Sequence, residues 1–144
     1  MQQLSKNIKI LSVYDPTTGT STSILATATV DMNDAKGCMF ISTIGNCSTL
    51  VTMTVQAATS TTAGDFADIT VNSTAIAVSS TEANRAHMID VYRPLKRYLR
   101  CTWNSTGASN TGGGIVALKY GLRNYPTTNA STDVVSENSV TPSS

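Results

Sequence analysis

Thr49-Leu50-Val51-Thr52-Met53-Thr54-Val55-Gln56-Ala57 is the stretch that decides the fold class. Val51, Met53 and Val55 alternate with Thr52, Thr54 and Gln56. That period of two belongs to a strand with one face in a core and the other in water. Upstream, Ile8–Tyr14 alternates in the same way and stops at Asp15-Pro16-Thr17-Thr18-Gly19, a run of turn formers. Thr22–Met32 follows as one strand, with Ile24, Ala26, Ala28, Val30 and Met32 expected on one face and Thr27, Thr29 and Asp31 on the other. Asn33-Asp34-Ala35-Lys36-Gly37 turns the chain into Cys38–Ile44. Downstream, Phe66–Val71 and Thr74–Val78 read as short strands. Ser79–Arg85 reads as a single capped helical turn, and Ala86–Tyr92 as a strand ending at Arg93-Pro94. Lys96–Trp103 sets Leu99, Cys101 and Trp103 against Tyr98, Arg100 and Thr102. Asn104–Gly114 is expected as a glycine-rich loop. Ile115–Tyr120 closes the series, apolar on both faces, as if packed between two layers.

Composition agrees. Of 144 residues, 13% are DEKR, about half the usual ~25%, and forty are Ser or Thr. Helical bundles and coiled coils need Glu and Lys on their outer faces. Thr, Val, Ile and Tyr suit a half-buried pleated surface instead. Short strands at regular intervals, some joined by connections longer than hairpin turns, predict an all-β, jelly-roll-like β-sandwich of about eight strands with extended termini. The expected limits are an N-terminal arm over 1–10, a sandwich over 11–125 and a Ser/Thr-rich tail over 126–144. No apolar run reaches the ~20 residues of a membrane span. MQQLSKNIKILSVY has no apolar segment of a signal peptide, so synthesis in the cytoplasm is the expectation.

The sequence offers little chemistry. A single histidine, His87, accompanies no second metal ligand at a recognisable spacing and is expected as a satisfied structural residue. Cys38, Cys47 and Cys101 are odd in number and form no CxxC, which favours buried free thiols over a disulfide framework. Asn110-Thr111-Gly112-Gly113-Gly114 lacks the order of a phosphate loop and precedes a strand. Asp65 and Asp68 stand on opposite faces of a short strand and suit turn and strand-end roles. The four Asn-x-Ser/Thr triplets, at Asn46, Asn72, Asn104 and Asn129, match chance in so hydroxyl-rich a chain. No catalytic constellation, metal or cofactor site emerges, and the expectation is a protein that is not an enzyme.

Charge is uneven although its sum is +1. Residues 1–84 carry three Lys against six acids, net −3, and the tail carries Asp133 and Glu137. Residues 85–123 carry seven Lys and Arg against Asp90 alone, net +6. The centre of this segment is Arg93-Pro94-Leu95-Lys96-Arg97-Tyr98-Leu99-Arg100. Cations interleaved with aromatic rings suit an acidic patch on a protein partner or single-stranded nucleic acid. They also suit a solvated strand edge protected from pairing. Near-zero overall charge and an acidic tail disfavour nucleic acid. Arg93, Lys96, Arg97, Tyr98 and Arg100 are the docking candidates.

Asp90-Val91-Tyr92-Arg93-Pro94-Leu95-Lys96-Arg97-Tyr98-Leu99-Arg100, followed by Gly114-Ile115-Val116-Ala117-Leu118-Lys119-Tyr120-Gly121-Leu122-Arg123-Asn124-Tyr125-Pro126, resembles small head proteins of tailed bacteriophages. Ala28-Thr29-Val30-Asp31-Met32, with Gly37, Phe40 and Gly45, is similar to the same group, so the resemblance spans about residues 22–126. It implies a capsid decoration, or cement, protein. Such a protein is a jelly-roll-like sandwich on the outer surface of the virion head, bridging major capsid protein subunits of the HK97 type and clustering with itself as a dimer or trimer. The family has no signature that assigns contact residues. A neck or tail adaptor on a similar sandwich, and a carbohydrate- or nucleic-acid-binding β-module, are the alternatives.

Overall fold

The computed structural model describes residues 4, 7–14, 24–45, 47, 49–70, 75–82, 84–105 and 112–124. The expectations for the 126–144 tail, the Asp15–Gly19 turn and the Asn-x-Ser/Thr positions 46, 72 and 129 lie outside them. Among the described residues, ten strand segments follow one another: β1 (Ile8–Tyr14), β2 (Ile24–Ala26), β3 (Val30–Asp31), β4 (Gly37–Ile44), β5 (Val51–Ala58), β6 (Ala67–Asp68), β7 (Ile76–Val78), β8 (Arg85–Tyr92), β9 (Tyr98–Ser105) and β10 (Gly112–Tyr120). β1 thus begins inside the stretch assigned to an N-terminal arm.

The segments form two antiparallel sheets. One has the order β1-β10-β4-β8. In the other, β9 and β5 lie at the centre, β2 and β3 share the far side of β9, and β6 and β7 share the far side of β5. Counted by row, each sheet is four strands wide. The pairings are nested: β1 with β10, β2 and β3 with β9, β4 with β8, and β5 with β6 and β7. A long antiparallel ribbon rolled into two layers gives this order, which is the jelly roll the sequence predicts.

Alternation places the core as expected. Val51, Met53, Val55 and Ala57 of β5 face Phe40 and Ile44 of β4, with Leu99, Cys101, Trp103, Ile115 and Ala117 filling the same layer. The three cysteines are free and buried. Burial pushes the Cys38 and Cys101 thiols up to about 12 and raises Cys47 as well. Ser79-Ser80-Thr81-Glu82 forms the capped turn, a 3-10 helix over Ser80–Glu82. There the Ser79 N–H donates to the Glu82 carboxylate (3.0 Å), and the Glu82 N–H donates to the Ser79 carbonyl (3.0 Å).

Three expectations need correction. The strand over Thr22–Met32 is broken at Thr27–Thr29, so Ala26 and Ala28 are exposed and Thr27 is buried. Inside, the Thr27 hydroxyl accepts the Cys101 N–H (2.9 Å) and donates to the Ala28 carbonyl (2.9 Å). The Ala28 N–H reaches the Val13 carbonyl (2.9 Å), joining the two sheets along one side. This polar bridge outweighs the apolar alternation.

The glycine run is not wholly loop. Gly112–Gly114 opens β10 at a β-bulge, and a Cβ on Gly113 would overlap the backbone carbonyl of Thr43. Lastly, the outer face of β10 has no second layer among the described residues. Outward residues of the four-stranded sheet are mostly apolar: Ile8, Ile10, Val116, Leu118, Met39, Ile41 and Met88. Those of the other sheet are polar: Thr52, Thr54, Gln56, Thr102, Asn104 and Arg100. Among the described residues, no helix is long and apolar enough to cross a membrane.

Candidate functional site: a basic end of the sandwich

Three connections meet at one end: residues 32–36 between β3 and β4, 93–97 between β8 and β9, and 121–124 after β10. The register brings them together, because Gly37 lies opposite both Tyr120 and Tyr92. Four backbone hydrogen bonds then stitch them. Met32 N–H donates to Arg97 O (2.8 Å), Lys36 N–H to Tyr120 O (3.0 Å), Arg93 N–H to Lys36 O (2.7 Å) and Arg123 N–H to Asp34 O (3.0 Å). Arg93 has φ +51°, a left-handed conformation uncommon for a residue with a side chain. Its short bond to Lys36 holds it there, against the extended backbone that the following Pro94 favours.

The result is an open groove of about 440 Å³ whose walls carry Lys36, Arg93, Lys96, Arg97 and Arg123. Arg97 is neutralised, because its Nε and Nη2 donate to the two carboxylate oxygens of Asp31 at 2.9 and 2.7 Å. The same contact holds the Asp31 carboxyl down at about 2. Lys96 reaches the Ala57 carbonyl (3.4 Å), and Arg93 lies over the Tyr92 ring (5.2 Å). Among the described residues, no carboxylate pairs with Lys36, Arg93, Lys96 or Arg123. Asp34, in the same connection as Lys36, bonds Lys119, which is buried at the end of the core. At the tip, Leu95 is completely exposed. An apolar knob ringed by four unneutralised cations can seat in an apolar depression edged by carboxylates.

Of the candidates named from sequence, Arg93, Lys96 and Arg97 line this groove, and Tyr98 stands beside it with the Arg97 guanidinium over its ring at 5.0 Å. Arg100 does not join them. It points from the outer face of the six-segment sheet, where Nε donates to the Gln56 side-chain oxygen (2.8 Å) and its guanidinium covers Phe66 (4.3 Å). Lys36 and Arg123 were missed, since only strand register brings two distant turns to the Arg93–Arg97 loop.

Other polar residues have local roles. Asp65 accepts from the Ser60 hydroxyl, and Asp68 from the Gln56 side-chain amide (2.8 Å). His87, expected to be satisfied, leaves its buried Nε2 without a hydrogen-bond partner among the described residues, as does Trp103 Nε1. No group of three or more His, Cys, Asp or Glu side chains able to hold a metal occurs among the described residues. No protein-family model matches the chain, and no curated protein shows significant similarity to it. A jelly roll hosts many unrelated functions, so a functional reading has to come from its surfaces.

Proposed function

We propose that this chain is a non-enzymatic capsid decoration protein. It binds the outer surface of a tailed-phage head and bridges neighbouring major capsid protein subunits of the HK97 type. The observation that carries this reading is the basic, Leu95-tipped end, built on the same Asp90–Arg100 run that resembles phage head proteins. A docking surface of this kind needs an acidic, partly apolar counterpart and no catalytic group. Each contact is modest, since a standard interface covers roughly 800 Å² per partner. Many copies on one shell make the sum mechanically significant.

Co-sedimentation of the purified chain with bare phage heads tests the proposal. Binding is expected to be saturable and to weaken as salt rises. Leu95→Asp combined with Lys96→Glu is expected to reduce affinity at least about ten-fold, a loss of roughly 1.4 kcal/mol. Heads that leave the wild-type chain in the supernatant, while it binds oligonucleotides with a steep salt dependence, would favour the nucleic-acid module instead.

A further inference from the structure

The outer face of the four-stranded sheet has no described element over it, yet it has the anatomy of an interface. Two rows run across its centre, Ile10–Leu118–Met39 and Met88–Ile41–Val116. Met88 is 65% exposed and the other five are half-buried. Polar groups stand at the margins: Asp90 on β8 ends the first row and Ser12 on β1 ends the second, with Thr43 beyond the rows at one end and two tyrosines at the other. The Tyr120 ring lies on Gly37, where a side chain would collide with it, and its hydroxyl donates to Asp90 at 2.6 Å. Burial and that carboxylate hold the Tyr120 hydroxyl well above the usual phenol range. None of the outward residues on the four strands is Lys or Arg.

We infer that this face is an interface between two copies of the chain. The occupant has to be largely apolar and bring no charge that needs a partner here, because the face carries no cation and its one carboxylate, Asp90, is already bonded to Tyr120. A second copy of the same face meets those conditions. A two-fold axis near the β10–β4 seam lays the two apolar rows of each copy on those of the other, an isologous contact. The Asp90–Tyr120 pair then falls on a wet rim, the usual arrangement of apolar centre and polar margin. Two sheets pack face to face in this manner about 10 Å apart.

Size sets the strength. Four strands spaced about 4.8 Å apart and roughly seven residues long give about 450 Å² per copy, or near 900 Å² in all. That is the weak end of specific interfaces, so the dimer forms and dissociates with concentration. The inference supplies a surface for the self-association that the decoration reading includes, but it rests on the face and not on the shell.

Sedimentation velocity of the whole chain from about 5 µM to about 1 mM tests it. A concentration-dependent dimer is expected, weakened at least about ten-fold by Met88→Asp. Val116→Thr, which keeps the shape of the central row, is expected to weaken it several-fold, and near-ultraviolet circular dichroism of Trp103 checks that both variants are folded. A wild-type chain that stays monomeric throughout overturns the inference, as does a dimer indifferent to both substitutions. If the monomer persists and Met88→Asp instead abolishes binding to heads, the face meets the shell and the decoration reading stands. If the dimer forms but heads bind no protein, the interface stands and the decoration reading falls.

Discussion

Thr27 shows how one hydroxyl redirects a strand. Its oxygen is the acceptor for the buried Cys101 N–H. Thr27→Val keeps the shape and removes the acceptor, so it is expected to cost about 1–3 kcal/mol, the penalty of a buried unpaired donor, measurable by urea denaturation. Alternation of apolar residues could not reveal this, because Ala26, Ala28 and Val30 fit the inner face equally well on pattern alone. Asp31 carries a second expectation. Its folded-state value of about 2 lies below the ordinary ~3.9 of an unfolded chain. Its stabilising contribution is therefore complete above about pH 4 and lost as pH falls toward 2. The side chains are half exposed, so screening keeps the effect small. Asp31→Asn should flatten that part of the acid-stability profile, and an unchanged slope between pH 4 and 2 would rule out the pair as its source. Arg93 supplies a third. Arg93→Gly relieves the left-handed backbone, worth about 1 kcal/mol, while removing a cation. Stability is expected to hold or rise as affinity for heads falls; a loss of both would mean that the charge is structural.

At the scale of elements, most of the sheet was legible. β4, β5, β8 and β9 lie within a residue or two of their expected positions because each buries one side of an alternating run. The short edge segments were harder. Of the Phe66–Val71 reading, the described residues 66–70 keep only Ala67–Asp68 as β6, and both its residues are exposed, so no apolar face marks its limits. The start of β10 was misread for a different reason: glycine usually signals a turn, whereas Gly113 is needed where β10 passes the Thr43 carbonyl. Gly113→Ala should destabilise by about 1–3 kcal/mol, as overpacking does. Gly64→Ala, where an added Cβ meets nothing within 4 Å, should stay within about 0.5 kcal/mol of wild type. Equal thermal shifts for the two would contradict the bulge geometry.

For the whole molecule, low charge acquires a spatial meaning. The six-segment sheet turns a hydroxyl- and amide-rich face outward, the four-stranded sheet an apolar one, and cations collect at one end. The sequence made the cation-rich run visible but not its partners Lys36 and Arg123, since these are joined by register across the sheet. It likewise hid the apolar face, because a strand apolar on both sides reads the same whether its second side meets another layer of the chain or another molecule. On the proposed reading, the cation-rich end and the apolar face are the two surfaces that other molecules cover. The decisive measurement is a cryo-EM reconstruction of the intact particle that carries this chain. Decoration predicts jelly-roll density repeated over the outer surface of the head, with the Leu95 end against the major capsid protein. Density confined to one vertex would make it a neck or tail adaptor, and a bare outer surface would contradict the central claim.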